Sequence, residues 1–223
     1  TRKPMPDELS EQISPLYEIL DLLNISVYKK DGFEADDLIG TISNSLKEKN
    51  IETYIYSSDK DLMQLVNDNT FVYSPGNSFV KQKIYDKNEV FLKWGVNPNQ
   101  IIDYLSLVGD TSDNIPGVQG VGSKTAVKLL SQYNNLNNIY DSIDLVKNEK
   151  IKDKLTQCKT NALLSKDLVT IDLNVDISFN LDDMNKEKIK FKNIISKLHD
   201  LDIYTFDKEI NKKGSDDKKN NQK

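Results

Sequence analysis

Apolar residues recur at helical spacing at Ile13, Leu16, Ile19, Leu20 and Leu23, which predicts an amphipathic helix over residues 8–23 capped by Asp7. Prolines stiffen the lead-in before it, at 1–6. A short strand is expected at 25–28, broken by Gly32. Leu38, Ile42 and Leu46 then mark one face of a second helix, ended near Asn50. The β-branched and aromatic run 53–57 predicts a buried strand. A helix through Met63, Leu65 and Val66 follows it. Strands at 71–73 and 83–85 flank a turn at Pro75, Gly76 and Asn77. Further helices are predicted around Val90, Phe91 and core Trp94, then over 101–108, 124–133, 136–143, 150–164 and 191–198. Residues 168–171 read as a strand and 175–179 as an exposed edge segment. From Asp207 to the end, Lys, Asp and Asn dominate, and 207–223 is expected to be a disordered tail.

Composition narrows the chemistry. The chain has 223 residues, 37% of them apolar, and a mean hydropathy of -0.57. That suffices for one sizeable domain, or for a domain with a helical subdomain. One cysteine, Cys158, excludes an intramolecular disulfide and a cysteine zinc site; one histidine, His199, excludes histidine-based zinc and Ser-His-Asp chemistry. No apolar run approaches ~18 residues, so no membrane span or membrane partner is expected. Net charge is -5, but unevenly spread. Residues 31–61 carry eight acids against three lysines, and residues 118–160 carry seven lysines against four acids. Thr1 is not a natural start, so the chain is expected to be truncated at its N-terminus.

The acids fall into three segments: Glu34, Asp36 and Asp37; Asp59 and Asp61; Asp110 and Asp113. In the first, three acids open a helix. The helix dipole favours acids there, but three within four residues repel one another unless a cation neutralises them. The second pair lies just beyond the carboxyl end of a predicted strand, where open α/β sheets bind ligands; an N-cap aspartate with a surface neighbour reads the same way. Seven acids without histidine or cysteine partners suit a hard cation with oxygen ligands, magnesium or manganese. An EF-hand loop is absent. Glycoside hydrolysis needs only two carboxyls and no phosphate-binding turn. Two cations about 3.5–4 Å apart could instead serve phosphodiester hydrolysis.

Directly after Asp113 comes a glycine hairpin: Gly117, Gly120, Val121, Gly122, Ser123, Lys124 and Thr125. Ser123 intervenes where a Walker A loop needs lysine, and Thr125 stands where the dinucleotide fingerprint needs a third glycine. A helix-hairpin-helix remains, in which glycines expose N–H groups to a DNA phosphate; a plain tight turn between helices is the alternative.

Four segments together resemble the 5′-nuclease superfamily, closely the 5′→3′ exonuclease domain of bacterial-type DNA polymerase I. They are Arg2-x-Pro-Met-Pro-Asp-Glu-Leu9, Gly32-Phe-Glu-Ala-Asp-Asp-Leu-Ile-Gly40, Ser58-Asp-Lys-Asp-Leu-x-Gln-Leu65 and the run from Gly109 to Ala126. The resemblance covers about residues 1–180. It implies an α/β fold with a parallel-rich central sheet flanked by helices (PIN-like), carrying an inserted helix-three-turn-helix DNA-binding subdomain. The implied division is a core at 1–103, the subdomain at 104–165, a return to the core at 166–206 and the tail at 207–223. It implies that Glu34, Asp36, Asp37, Asp59, Asp61, Asp110 and Asp113 are catalytic metal ligands, with Asp37 less directly placed. Two or more Mg2+ or Mn2+ ions are expected, with K+ at the hairpin. Gly117, Gly120, Val121, Gly122, Ser123, Lys124 and Thr125 would contact DNA, as would Arg2, at the end of the family's helical arch.

The implied activity is metal-dependent 5′→3′ exonuclease and 5′-flap endonuclease cleavage of DNA and RNA primers in replication and repair. The partners would be flapped, nicked or 5′-ended DNA, read without regard to sequence, and a DNA polymerase; the protein would be a monomer. The family's opening strand, with its first metal aspartate, and most of the arch find no counterpart here. A catalytically impaired branched-DNA-binding fragment is therefore a second reading, and a PIN-like ribonuclease a third. The compartment would be the bacterial nucleoid or a DNA-containing organelle of an AT-rich eukaryote.

Overall fold

A computed structural model describes residues 4–76, 78, 81–185 and 191–208. Arg2, Asn77 and residues 209–223 of the expected tail lie outside the described residues. In chain order the helices and strands are α1 (Asp7–Ser10), α2 (Ile13–Leu22), α3 (Ala35–Glu48), β1 (Thr53–Tyr56), β2 (Thr70–Ser74), β3 (Lys83–Tyr85), α4 (Lys87–Trp94), α5 (Ile101–Val108), α6 (Ser123–Tyr133), α7 (Leu136–Asp141), α8 (Glu149–Gln157), α9 (Lys159–Val169) and α10 (Ile195–Asp200). The fold is α/β, mostly helical, with one small sheet. Among the described residues no helix is long and apolar enough to cross a membrane.

The chain forms two compact units. One joins the residues up to Lys29 with those from Ser178 onward; the other is Lys30–Ile177. The first is small. Among its described residues Leu23, Ile194 and Leu198 are buried apolar residues, with Ile19, Ile195 and Ile203 packed against them. The expected single helix over 8–23 is two, because the chain turns at Glu11 and Gln12. Residues 25–28 form no strand: Ser26 Oγ donates to the Asp183 carbonyl instead, and among the described residues no strand pairs with them. The expected helix at 191–198 begins as a 3-10 turn, Phe191–Ile194, and becomes α-helical as α10.

The larger unit holds the sheet and the main core. The strand order is β1-β2-β3, with β1 and β2 parallel (Thr53 opposite Thr70, Tyr56 opposite Tyr73) and β2 and β3 antiparallel. A parallel pair needs a crossover. Here it carries a 3-10 turn, Asp61–Leu65, whose Leu62, Met63 and Leu65 are buried. β1 is not the buried strand expected. Only Ile55 points into the core, while Tyr54 and Tyr56 are exposed and stack on Phe71 and Tyr73 of β2, ring centroids 5.1 and 5.2 Å apart. Alternation on a sheet with one covered face places every second side chain outside.

The helical half packs on α5, whose Ile101, Tyr104, Leu105 and Leu107 are buried among residues that include Leu130, Ile139 and Leu155. The predicted helix at 150–164 is interrupted at Cys158, where the backbone leaves helical geometry (φ -101°, ψ 16°), and α9 then runs on to Val169. The strand expected at 168–171 is therefore the last turn of α9 and the coil after it. Thr170 Oγ1 closes that end by donating to the Lys166 carbonyl. Residues 175–177 make no ladder; Val175 N–H donates to Thr41 Oγ1 on α3.

Candidate functional site

Three local devices set the acids in place. At the start of α3, Glu34 is the extended N-cap residue and its N–H donates to Asp37 Oδ2 at 3.1 Å. Asp37 Oδ1 accepts from Asp172 N–H at 2.9 Å. Both oxygens of Asp37 are thus engaged with backbone, and the residue ties α3 to the segment after α9. Gly40 permits that approach, since a Cβ there would stand 2.6 Å from Ile171 Cγ2. Asp36, on the same turn, is half-buried.

Beyond β1, Asp59 Oδ1 accepts from Asp61 N–H at 3.0 Å, a local turn that starts the 3-10 segment. Gln64 fastens it to the end of α9, donating to the Val169 carbonyl and accepting from Ile171 N–H. The same strap, residues 169–175, therefore holds the first and second acidic segments.

The third segment follows α5. Gly109 (φ +74°) turns the chain out of the helix, and Asp110 pairs with Ile115 by two backbone hydrogen bonds. Gly117 (φ +59°) closes this loop so tightly that a Cβ there would stand 2.4 Å from Gly109 N. Only glycine accepts both the positive φ and the contact. Its N–H donates to the buried Ser165 Oγ at 2.9 Å. Gly117 shapes the loop, and its N–H is engaged within the chain. Val121 is likewise buried, with its N–H on the Val118 carbonyl.

The outer part of the hairpin differs. Gly120, Gly122, Ser123 and Lys124 are exposed and Thr125 is half-buried. Gly122 is the extended N-cap residue of α6, and a Cβ there would meet nothing within 4 Å. The first N–H groups of any helix lack intrahelical acceptors, and Ser123 and Lys124 carry two of them on an exposed stretch.

The acids of all three segments influence one another. Burial raises the Asp36 carboxyl, and the charges of Asp59, Glu34, Asp37 and Asp113 raise it further. Burial likewise pushes Asp61 up to about 6, helped by Asp59, Asp110 and Asp113 and opposed by Lys60. Asp61 Oδ1 is buried without a hydrogen-bond partner. Asp110 is 9% exposed. Burial raises its carboxyl too, but the Lys60 ammonium on Oδ2 and the Ser112 N–H on Oδ1 outweigh that and hold it at about 2. Lys60, absent from the residues expected to form the site, thus pairs with one of the acids; its only sequence signal was its place between Asp59 and Asp61.

Clustered carboxylates with a buried, unpartnered oxygen fit a hard cation. As the side chains stand, no three acids among the described residues surround one point as ligands of one ion. Asp37 accepts from two backbone N–H groups and Asp110 from an ammonium.

Comparison with known proteins gives matches along the whole described site. A family model described as 5′-3′ exonuclease, N-terminal resolvase-like domain, matches residues 1–95, and one described as 5′-3′ exonuclease, C-terminal SAM fold, matches residues 96–192. The chain is 40% identical over 205 residues to DNA polymerase I of Bacillus subtilis (strain 168), covering 92% of this chain and 23% of that protein. It is 37% identical over 213 residues to the 5′-3′ exonuclease of Aquifex aeolicus (strain VF5), covering 95% of this chain and 70% of that one. The chain therefore spans about a quarter of the polymerases it matches. Among solved structures, the bacteriophage T5 D15 flap endonuclease in a pseudo-enzyme-product complex with DNA and metal ions aligns with TM-score 0.64 and 22% identity, over 78% of this chain and 63% of that one. The catalytic core of Rad2 in complex with DNA substrate aligns with TM-score 0.52 and 16% identity, over 84% and 65%. At these identities the likeness is one of fold.

Proposed function

The chain belongs to the 5′-3′ exonuclease family, and we propose that its acidic cleft hydrolyses phosphodiesters at 5′ ends and 5′ flaps of DNA, and of RNA primers, with magnesium or manganese. The observation that carries this reading is that carboxylates of three separate segments act on one another's charge, while one Asp61 oxygen is buried and unpartnered. A helix N-terminus opened by Gly122 follows in the same stretch of chain.

In this reading Glu34, Asp36, Asp59 and Asp61 hold cation on one side of the cleft, and Asp110 and Asp113 on the other. Asp37 positions the first group by fixing the start of α3. Bound there, divalent cations would neutralise the phosphate and the leaving oxygen and acidify a water. Ser123 and Lys124 N–H groups, with the Lys124 ammonium, hold a phosphate of the duplex, and Gly120 and Gly122 let that backbone approach. Such contacts read no bases, so binding is indifferent to sequence and falls steeply with salt. The proposal includes K+ at the hairpin, a parallel-rich central sheet, the division into 1–103, 104–165, 166–206 and 207–223, a helix-three-turn-helix subdomain within 104–165, and Arg2 as a guide for the 5′ strand. The β1–β2 pair and helices α5 to α9 support the architectural part. The partners are flapped or nicked DNA and a DNA polymerase, the protein is a monomer, and its compartment is that of the DNA it serves.

The test is a 5′-labelled flap duplex and an RNA-primed duplex incubated with the natural full-length protein. Release of the flap with magnesium, abolished by EDTA, is expected; no magnesium-dependent release sinks the proposal. One observation favours a second reading, a branched-DNA-binding module without turnover: the Asp110 carboxylate is already paired with Lys60. That reading predicts flap binding and no cleavage even in manganese.

A further inference from the structure

Lys60 stands between Asp59 and Asp61 in sequence, yet its side chain serves neither. Its ammonium pairs with Asp110 Oδ2, 50 residues away. The lysine side chain is 33% exposed and the aspartate 7%. The Asp110 loop does not need this pair for its shape, which the backbone bridge to Ile115 and the Gly109–Gly117 contact already set. What the pair supplies is charge. Asp110 would otherwise be a buried carboxylate beside the charge of Asp61, and the charges of Asp61 and Asp113 both act on Lys60. A lysine suits this place physically. Its four-carbon stem is flexible, its charge is a single point, and its partial exposure lets the head swing into water without becoming a buried unpaired cation.

We propose that Lys60 is a tethered counter-ion of the acidic cleft: its ammonium holds Asp110 while a divalent cation is away, competes with that cation for the carboxylate, and thereby sets the cation concentration at which the site fills. The inference rests on the carboxylate-cation reading above and goes beyond it by assigning this lysine a positioning role.

The test is calorimetric titration of Mn2+ into the natural full-length protein, wild type against Lys60→Met and Lys60→Arg, with melting temperatures in EDTA. Lys60→Met is expected to bind Mn2+ about tenfold or more tighter and to melt lower in EDTA, the melting deficit closing as Mn2+ is added. Lys60→Arg, whose planar fork grips a carboxylate by two bonds, is expected to bind Mn2+ more weakly than wild type. Unchanged or weaker affinity in Lys60→Met overturns the inference. If Lys60→Met does not fold, Lys60→Arg decides: binding as tight as wild type overturns it. A gain that persists undiminished in an Asp110→Asn background also overturns it, because the competition would then not be for Asp110. No Mn2+ binding by the wild type overturns the proposed function itself, and the inference with it.

Discussion

Replacing Asp61 by Asn should make the cation-free protein more stable at neutral pH. Burial and three neighbouring aspartates push this carboxyl to about 6 from an ordinary value of 3.8. The folded state therefore binds the proton more tightly than the unfolded state. Below pH ~4 both states are protonated and the group costs nothing; between pH ~4 and ~6 the penalty for ionising it in the fold grows, and above that it is complete. Two units correspond to about 3 kcal/mol as a ceiling. Asp61 is partly exposed, so screening reduces this to about 1–2 kcal/mol. For a chain of this size that is a rise in Tm of roughly 2–8 °C. Asparagine keeps the shape and leaves the Asp61 N–H bond to Asp59 in place. The assay is thermal melting of wild type and Asp61→Asn in EDTA at pH 7.5 and again at pH 4. The gain should be present at pH 7.5 and fade at pH 4, and added Mn2+ should raise the wild type more than the variant. A variant that melts lower than wild type at pH 7.5 without divalent cations would refute the reasoning.

The hairpin glycines should separate. Gly117→Ala should cost at least about 2 kcal/mol, from a positive φ and a backbone clash, while Gly122→Ala should stay within about 0.5 kcal/mol; urea titration of both variants checks this. The Lys166–Asp103 pair joins α9 to α5 at 3.0 Å, with Asp103 only 8% exposed. Lys166→Met should therefore lose about 2–3 kcal/mol in the same titration, and Lys166→Met with Asp103→Leu should recover most of it. Lys124→Ala should weaken flap-duplex binding equally for all sequences and reduce the slope of log affinity against log salt by about 1, measured by fluorescence anisotropy.

Much of the site was legible because it is written in local signals. α5 runs over the residues its apolar pattern predicted, 101–108. The three acidic segments are short and each sits at a strand end or helix end. What escaped is what depends on distant partners. Asp37 looks like any acid of a first helical turn, and its second hydrogen bond comes from Asp172, 135 residues away. Lys60 looks like a solvated lysine between two acids until the fold brings Asp110 to it. Gly117 and Gly122 are both glycines of one hairpin, yet the first is needed for a backbone-to-backbone contact that only the closed loop reveals. Secondary structure failed for a related reason. Leu168 and Val169 have strand-like composition, but α9 already had its buried face in Ala162, Ser165 and Val169 and simply continued. Tyr54 and Tyr56 are strand formers whose burial depended on what covers the second face of the sheet.

The gathering of the three acidic segments around cations is open to direct observation by anomalous diffraction from crystals of the protein soaked in Mn2+. Anomalous density beside Asp36, Asp59 and Asp61, with the Lys60 ammonium withdrawn from Asp110 where density appears at that carboxylate, is the expected result. Density confined to other carboxylates, or none at millimolar Mn2+, would contradict a cation site in this cleft.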